Sequence, residues 1–349
     1  IADELALARP VFTKETVQIL KFHGAYQQSD RDLRKAGQRD DFTSMVRVGI
    51  PGGRLTAPQY LLLDQLADEV GDGGLRITTR QDIQSHRVGK TNLKTLIRTL
   101  NENLLTTLAA CGDVVRNVVC CPLAEPKLAD LALTLSREFK PATRAYYEIW
   151  LDGEKAVSAG PEEEPLYGDT YLPRKFKIGI APRGDNCIDV YTNDVGIVPV
   201  DEGYALLVGG GLGNSPGVKA THPHLAEPLG VVPGESLTAA IRALVALHRD
   251  YGNRANRKLA RLKYIIEDWG IERFRAELES RLGAPLAAPV PLAWTNSADH
   301  LGWIPQPDDS FVLGLPVPSG RIRGALRLGL RTLIERFRSN VYLTPQQNL

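Results

Sequence analysis

The feature that most constrains this chain is a repeat of itself. The segment VRVGIPGGRLTAPQYLLLDQLADEVGDGGLRITTRQDI, residues 46–83, is echoed by LGLPVPSGRIRGALRLGLRTLIERFRSNVYLTPQQNL, residues 313–349. Gly53 matches Gly320, Arg54 matches Arg321 and Thr78 matches Thr344, with a one-residue gap between these anchors. Two copies so far apart predict a pseudo-twofold structure in which each supplies half of a shared layer. The second copy stops where the first goes on, and the chain begins at Ile1 without a methionine, so both ends are expected to be cut.

Between the copies the pattern alternates strand and helix, an α+β arrangement. A strand at FTSMVRVGI leads through a PGG turn to a helix with Thr56 as N-cap and Pro58 in its first turn. Gly71, Gly73 and Gly74 end that helix. The stretch LRITTRQDIQSHR reads as one strand, with Arg76, Thr78, Arg80, Asp82, Gln84 and His86 on one polar face. Helices are expected over 93–108 and 128–139, and further on over about 235–251, 256–268 and 271–282. KFKIGIA, CIDVYTN, GIVPV and YALLVGGG read as strands. The expected units are an extended arm at 1–40 with no core of its own, a first repeat domain at 41–140, an α+β domain at 141–299, and the start of the second repeat at 300–349.

At 349 residues, 43% hydrophobic and 24% charged, two domains are within reach. A net charge of +1 offers no global field toward nucleic acid or anionic lipid, so any basic site is local. No apolar run reaches the length of about 18 residues that would suggest a membrane span, and the acidic, lysine-bearing start does not read as a signal peptide. A soluble cytoplasmic protein is expected, or a plastid one if the source is a plant or alga. Cys111, Cys120, Cys121 and Cys187 lack zinc-site spacing and read as buried free thiols; the six histidines show no metal-ligand spacing either.

The chemistry-bearing residues are cations inside predicted strands. In YLPRKFKIGI, Lys175 and Lys177 share one face, about 6.6 Å apart by strand rise. The bland reading is an edge strand that uses lysine to block pairing; the functional one is a site for an anion that offsets their repulsion. Arg174 on the other face, Arg80, Arg144, and Arg116 before VVCC all raise the same question of what accepts from them. Gly209, Gly210 and Gly211 bring bare backbone to a strand end, where either a flat cofactor or another strand could approach.

Taken together and in order, HGAYQQSDRDLR, ITTRQDIQSH, VRNVVCCP, TRAYYEIWLDGEK, TYLPRKFKIGI, VYTNDVGIVPV, LLVGGGLG, DYGNRANRKLARLKY and LGW resemble the sulfite reductase hemoproteins of the sulfite/nitrite reductase superfamily. The resemblance implies a pseudo-twofold fold with a ferredoxin-like repeat domain and a siroheme-binding α+β domain, truncated at the C-terminus. It implies siroheme bridged through a cysteine to a [4Fe-4S] cluster, whose cysteines would lie beyond Leu349. Arg80, Arg144, Lys175 and Lys177 would surround sulfite, Arg116, Asn117 and Arg174 would bind siroheme carboxylates, and Gly209, Gly210 and Gly211 would pack near the macrocycle. The implied reaction is six-electron reduction of sulfite to sulfide, fed by an NADPH flavoprotein subunit or a ferredoxin, with the piece inactive alone. Nitrite reduction and non-catalytic tetrapyrrole binding are the rival readings.

Overall fold

The computed structural model describes residues 2–7, 9, 11–29, 42–142, 148–151, 154–158 and 164–349. Two apolar cores organise them. The first gathers residues between Phe12 and Leu105 together with Val317–Leu343 from the far end of the chain. The second runs from Ala109 to Leu286. The division thus falls near residue 107, ahead of the expected boundary at 140, because Val114–Cys121 and the helix Pro126–Glu138 place their apolar side chains in the second core.

The first core lies under an antiparallel sheet ordered Ala25–Ser29, Phe42–Val48, Ile83–Val88, Leu75–Ile77, Arg321–Ile322. The N-terminal residues are more than an extended arm. Lys14–Phe22 is a helix capped by Thr13, Ala25–Ser29 is the edge strand, and Phe12 and Leu20 are buried. The helix Ala57–Glu69 carries the expected N-cap at Thr56, closed by a reciprocal bond with Gln59. The helix expected over 93–108 ends at Glu102, since Leu104 takes a positive φ of 60° and stays exposed. CIDVYTN forms a 3-10 turn at Val190–Thr192 and contributes no strand.

The two copies of the repeat meet as expected. Arg54 and Leu55 pair with Tyr342 and Val341, while Arg321 and Ile322 pair with Arg76 and Leu75, so each copy's short strand completes the other. The matched glycines have a steric reason. Gly53 and Gly320 have φ of 70° and 67°, and a Cβ on either would collide with the other copy's backbone, at Leu343 O and Ile77 O respectively.

The segment expected to be one strand, 75–87, is a hairpin. Leu75–Ile77 and Ile83–Val88 pair antiparallel across a turn in which Thr78 Oγ1 accepts from the amides of Arg80 and Asp82. Gln81 takes the left-handed position with φ of 54°, and Gln347 does the same in the second copy with φ of 69°. The turn glutamines then cross over. Gln81 Nε2 donates to Leu343 O at 2.6 Å, and Gln347 Nε2 donates to Ile77 O at 2.7 Å. Fully buried Gln81 also donates to Cys120 O and accepts from Cys120 N, tying the repeat to the second core. Gln81→Ala is expected to cost about 2 kcal/mol in urea unfolding, because buried backbone groups lose their partners. Gln347→Ala should cost less, as its amide is part-buried.

The second core holds a mixed sheet ordered Glu227–Val232, Gly203–Val208, Val195–Val200, Ile178–Ile180, Val119–Cys120. The last two strands are parallel to their neighbours. The helices Leu237–Tyr251, Leu262–Trp269 and Ile271–Leu282 supply buried side chains to the same core. Among the described residues no helix is long and apolar enough to cross a membrane.

Candidate functional site

The expected cations come mainly from the seam between the two cores. Lys175 and Lys177 flank buried Phe176, whose backbone bridges Val115 beside the parallel strands, so both ammonium groups are carried out on the side away from the core. Arg80 sits in the hairpin turn of the first core, not in a strand, and reaches across the seam. Its Nε donates to Asn117 O at 3.0 Å, Nη1 to Asn193 Oδ1 at 2.5 Å, and Nη2 to Ile178 O. Arg144 lies outside the described residues.

Protein acceptors are unevenly shared among these groups. Arg116 donates to the carbonyls of Ala110 and Gly112, and Asn117 Nδ2 donates to Ile50 O at 2.7 Å and Arg80 O at 2.8 Å. Arg174, Lys175 and Lys177, by contrast, have no side-chain hydrogen bond or ion pair with any described residue. Arg174 and Lys175 open onto a pocket of about 470 Å³ that Arg257, Lys258, Arg261 and Lys263 also line; no carboxylate lines it.

The electrostatics follow from this crowding. Burial and then the charge of Arg80 and Arg261 push Lys177 down to about 7; burial, Arg174 and Arg261 push Lys175 down to about 8. Burial lowers Arg80 to about 10. One buried carboxylate within reach is already taken. Asp194, fully buried, takes both arms of Arg261 at 2.9 Å and the Lys177 backbone amide at 2.8 Å. Burial raises Asp82 to about 6 although Arg47, Arg116 and Arg80 oppose it.

The glycines have protein explanations. A Cβ on Gly209 would press Ile266, and one on Gly210 would strike the carbonyls of Tyr191 and Asn193. The amides of Gly209 and Gly211 donate to Asp194 O and His224 O, so this backbone is not bare. Gly211 touches two residues of the cation pocket: a Cβ there would meet the Arg261 guanidinium, and its carbonyl accepts from Lys263 Nζ at 3.1 Å. Sequence reading missed Arg261, Lys263 and Asp194. The signal available was RKLARLKY, whose positive residues could have been asked the question put to Lys175 and Lys177.

The nitrite and sulphite reductase 4Fe-4S domain matches residues 132–286, and the nitrite/sulfite reductase ferredoxin-like half domain matches residues 36–103. The chain is 43% identical to a sulfite reductase [ferredoxin] of Synechococcus elongatus over 97% of its own length and 60% of the relative's. It is 44% identical to a sulfite reductase [NADPH] hemoprotein beta-component of Myxococcus xanthus, over 95% of this chain and 62% of that one.

The chain belongs to the sulfite/nitrite reductase superfamily. It spans about 60% of the length of the curated relatives it matches. Among solved structures, the superfamily fold is seen in the Mycobacterium tuberculosis NirA protein, which superposes with a TM-score of 0.77 at 28% identity, covering 97% of this chain and 60% of that one. The half-domain match ends at residue 103, close to the division between the two cores.

Proposed function

We propose that this chain is the sulfite- and siroheme-binding part of a sulfite reductase hemoprotein. One observation carries the reading: among the described residues Arg174 and Lys175 stand without acceptors at a pocket that Arg257, Lys258, Arg261 and Lys263 also line and no carboxylate lines, and Lys177, close enough to feel the charges of Lys175 and Arg261, has no acceptor either. Charges placed this way repel one another unless a polyanion joins them. Siroheme, with eight carboxylates, and sulfite, with up to two negative charges, fit that lining. The hemoprotein names of the relatives support the same pairing.

Arg174 is the group best placed to hold a carboxylate, since Arg257 is held by Asp113, Arg261 by Asp194 and Lys263 by backbone carbonyls, with Arg116 and Asn117 bracing the seam behind it. Siroheme, when bound, would relay the electrons of the six-electron reduction from the donor to sulfite. This chain's own residues orient the anion and manage protons. Lys177 and Lys175, lowered to about 7 and 8, can polarise sulfite oxygens and give up a proton near neutral pH as each S–O bond breaks. Arg80 fixes the lysine-bearing segment to the first core through Ile178 O. Arg144 keeps the proposed sulfite-binding role by resemblance.

A [4Fe-4S] cluster accompanies siroheme in this reading, but the thiols present do not form its cage. Cys121 and Cys187 are near one another, while the Cys111 thiol lies beside Tyr26. An electron-donor protein completes the reaction, and the relatives are named for ferredoxin in one case and NADPH in the other.

The test is turnover by the complete protein with an artificial reductant. Sulfite should be used with a higher kcat/KM than nitrite, and the purified protein should show siroheme absorbance. Bound tetrapyrrole without turnover of either anion would favour the carrier reading instead.

A further inference from the structure

We infer that Cys121, Asp185, Cys187 and His300 form a binding site for a zinc ion, separate from the anion pocket. Their four donor atoms, one from each residue, all lie within 4.8 Å of one another. Cys121 Sγ is 3.5 Å from His300 Nε2 and 3.7 Å from Asp185 Oδ2, and Asp185 Oδ2 is 2.8 Å from His300 Nε2. A tetrahedral zinc with bonds of about 2.0–2.3 Å sets its ligands about 3.3–3.8 Å apart, so of these three separations only the His300–Asp185 one has to open, by about half an ångström. Two thiols, one imidazole and one carboxylate are a borderline-soft set that suits zinc better than calcium or magnesium.

The surroundings aim these atoms inward. Asp185 Oδ1 accepts from the Cys187 amide at 2.9 Å and from Asn296 Nδ2 at 3.0 Å, which leaves Oδ2 for the centre. Both thiols are buried, and the Cys121 thiol is pulled below its ordinary value, first by the hydrogen bond from Cys187 and, against burial, by His300. The ligands come from three places: just past the strand Val119–Cys120, the strand Gly184–Asp185 with the turn after it, and the connector that follows Trp294–Asn296. A metal here fastens that connector to the second core. Next to His300, Asp299 accepts from Thr344 Oγ1 at 2.7 Å and Asn348 Nδ2 at 2.8 Å, so the fastening extends to the second copy of the repeat.

The decisive measurement is zinc stoichiometry of the complete protein after dialysis against zinc, with zinc-edge X-ray absorption, which iron does not obscure. One zinc per chain is expected, with two sulfur neighbours at about 2.3 Å and two lighter ones at about 2.0–2.1 Å. The Cys187→Ser protein should lose it. Asn296→Ala, outside the ligand set and independent of any folding defect in the cysteine variant, should weaken zinc about 10–100-fold while siroheme content stays the same. The inference is overturned if the parent retains no zinc, if Cys187→Ser keeps it with unchanged affinity, or if intact mass shows Cys121 and Cys187 joined as a disulfide.

Discussion

The complete protein carrying Lys177→Met is expected to reduce sulfite about 10²–10⁴-fold more slowly than the parent, the range lost when a positioned proton donor is removed. The same protein should unfold at a higher temperature. In the folded chain burial, Arg80 and Arg261 hold Lys177 at about 7, against an ordinary value of 10.5. Between those values the unfolded chain binds more protons than the folded one, so stability rises with pH across the window of about 7 to 10.5. Below about pH 7 the ammonium is charged in both states and its destabilisation is complete, and methionine removes it. Activity should move in the opposite sense. In the parent, kcat/KM should fall as pH rises through about 7 and the donor empties; in Lys177→Met that limb should be missing. Parent-like turnover with an unchanged pH profile would show that this lysine only covers a surface.

Asp64→Ala should cause the largest loss of stability. The helices Ala57–Glu69 and Gly324–Phe337, one from each copy, are joined by a buried ion cluster. Asp64, 1% exposed, receives Arg327 Nε at 2.5 Å and is also bonded by Arg331 Nε, while Arg327, 6% exposed, holds Asp68 at 2.5 Å as well. Removing Asp64 leaves a buried guanidinium short of its main partner, a change that costs about 3–5 kcal/mol. The low end applies, because Asp68 and the Gly73 carbonyl still take Arg327 Nη1. Denaturant unfolding of Asp64→Ala, Arg327→Met and the double variant checks this: the double variant should recover part of the loss, since no orphaned charge remains. Additive losses would mean that the two residues do not act as a pair.

The repeat was legible because equivalent positions of the two copies carry matching letters, Gly53 with Gly320 and Thr78 with Thr344. Gln81 and Gln347 occupy equivalent places in the same two copies, yet their crossed bonds were not foreseen, since a glutamine in a polar run carries no mark of burial. The hairpin at 78–81 was hidden for a related reason. TTRQD has no glycine, proline or asparagine, the left-handed position falls to Gln81, and polar alternation runs straight through the turn.

At the site, Lys175 and Lys177 announced themselves by sharing a face, whereas Asp194 and Arg261, 67 residues apart, could be paired only by the fold. Distance in sequence likewise hid Cys121, Cys187 and His300 from any test of ligand spacing. The arm was misjudged because the polar run after Gln27 drew attention from the apolar stripe that buries Phe12 and Leu20 in the first core.

The exchange of short strands between the two copies also bears on biosynthesis. Arg54–Leu55 has its mate at 341–342, so a nascent chain presents this edge unsatisfied while the ribosome adds more than two hundred residues, roughly 15–60 s at ordinary elongation rates. During that interval the first copy is open to pairing with a neighbouring polypeptide on the same message, and a chaperone that shields the edge near Leu55 would act on the step most exposed to misassembly.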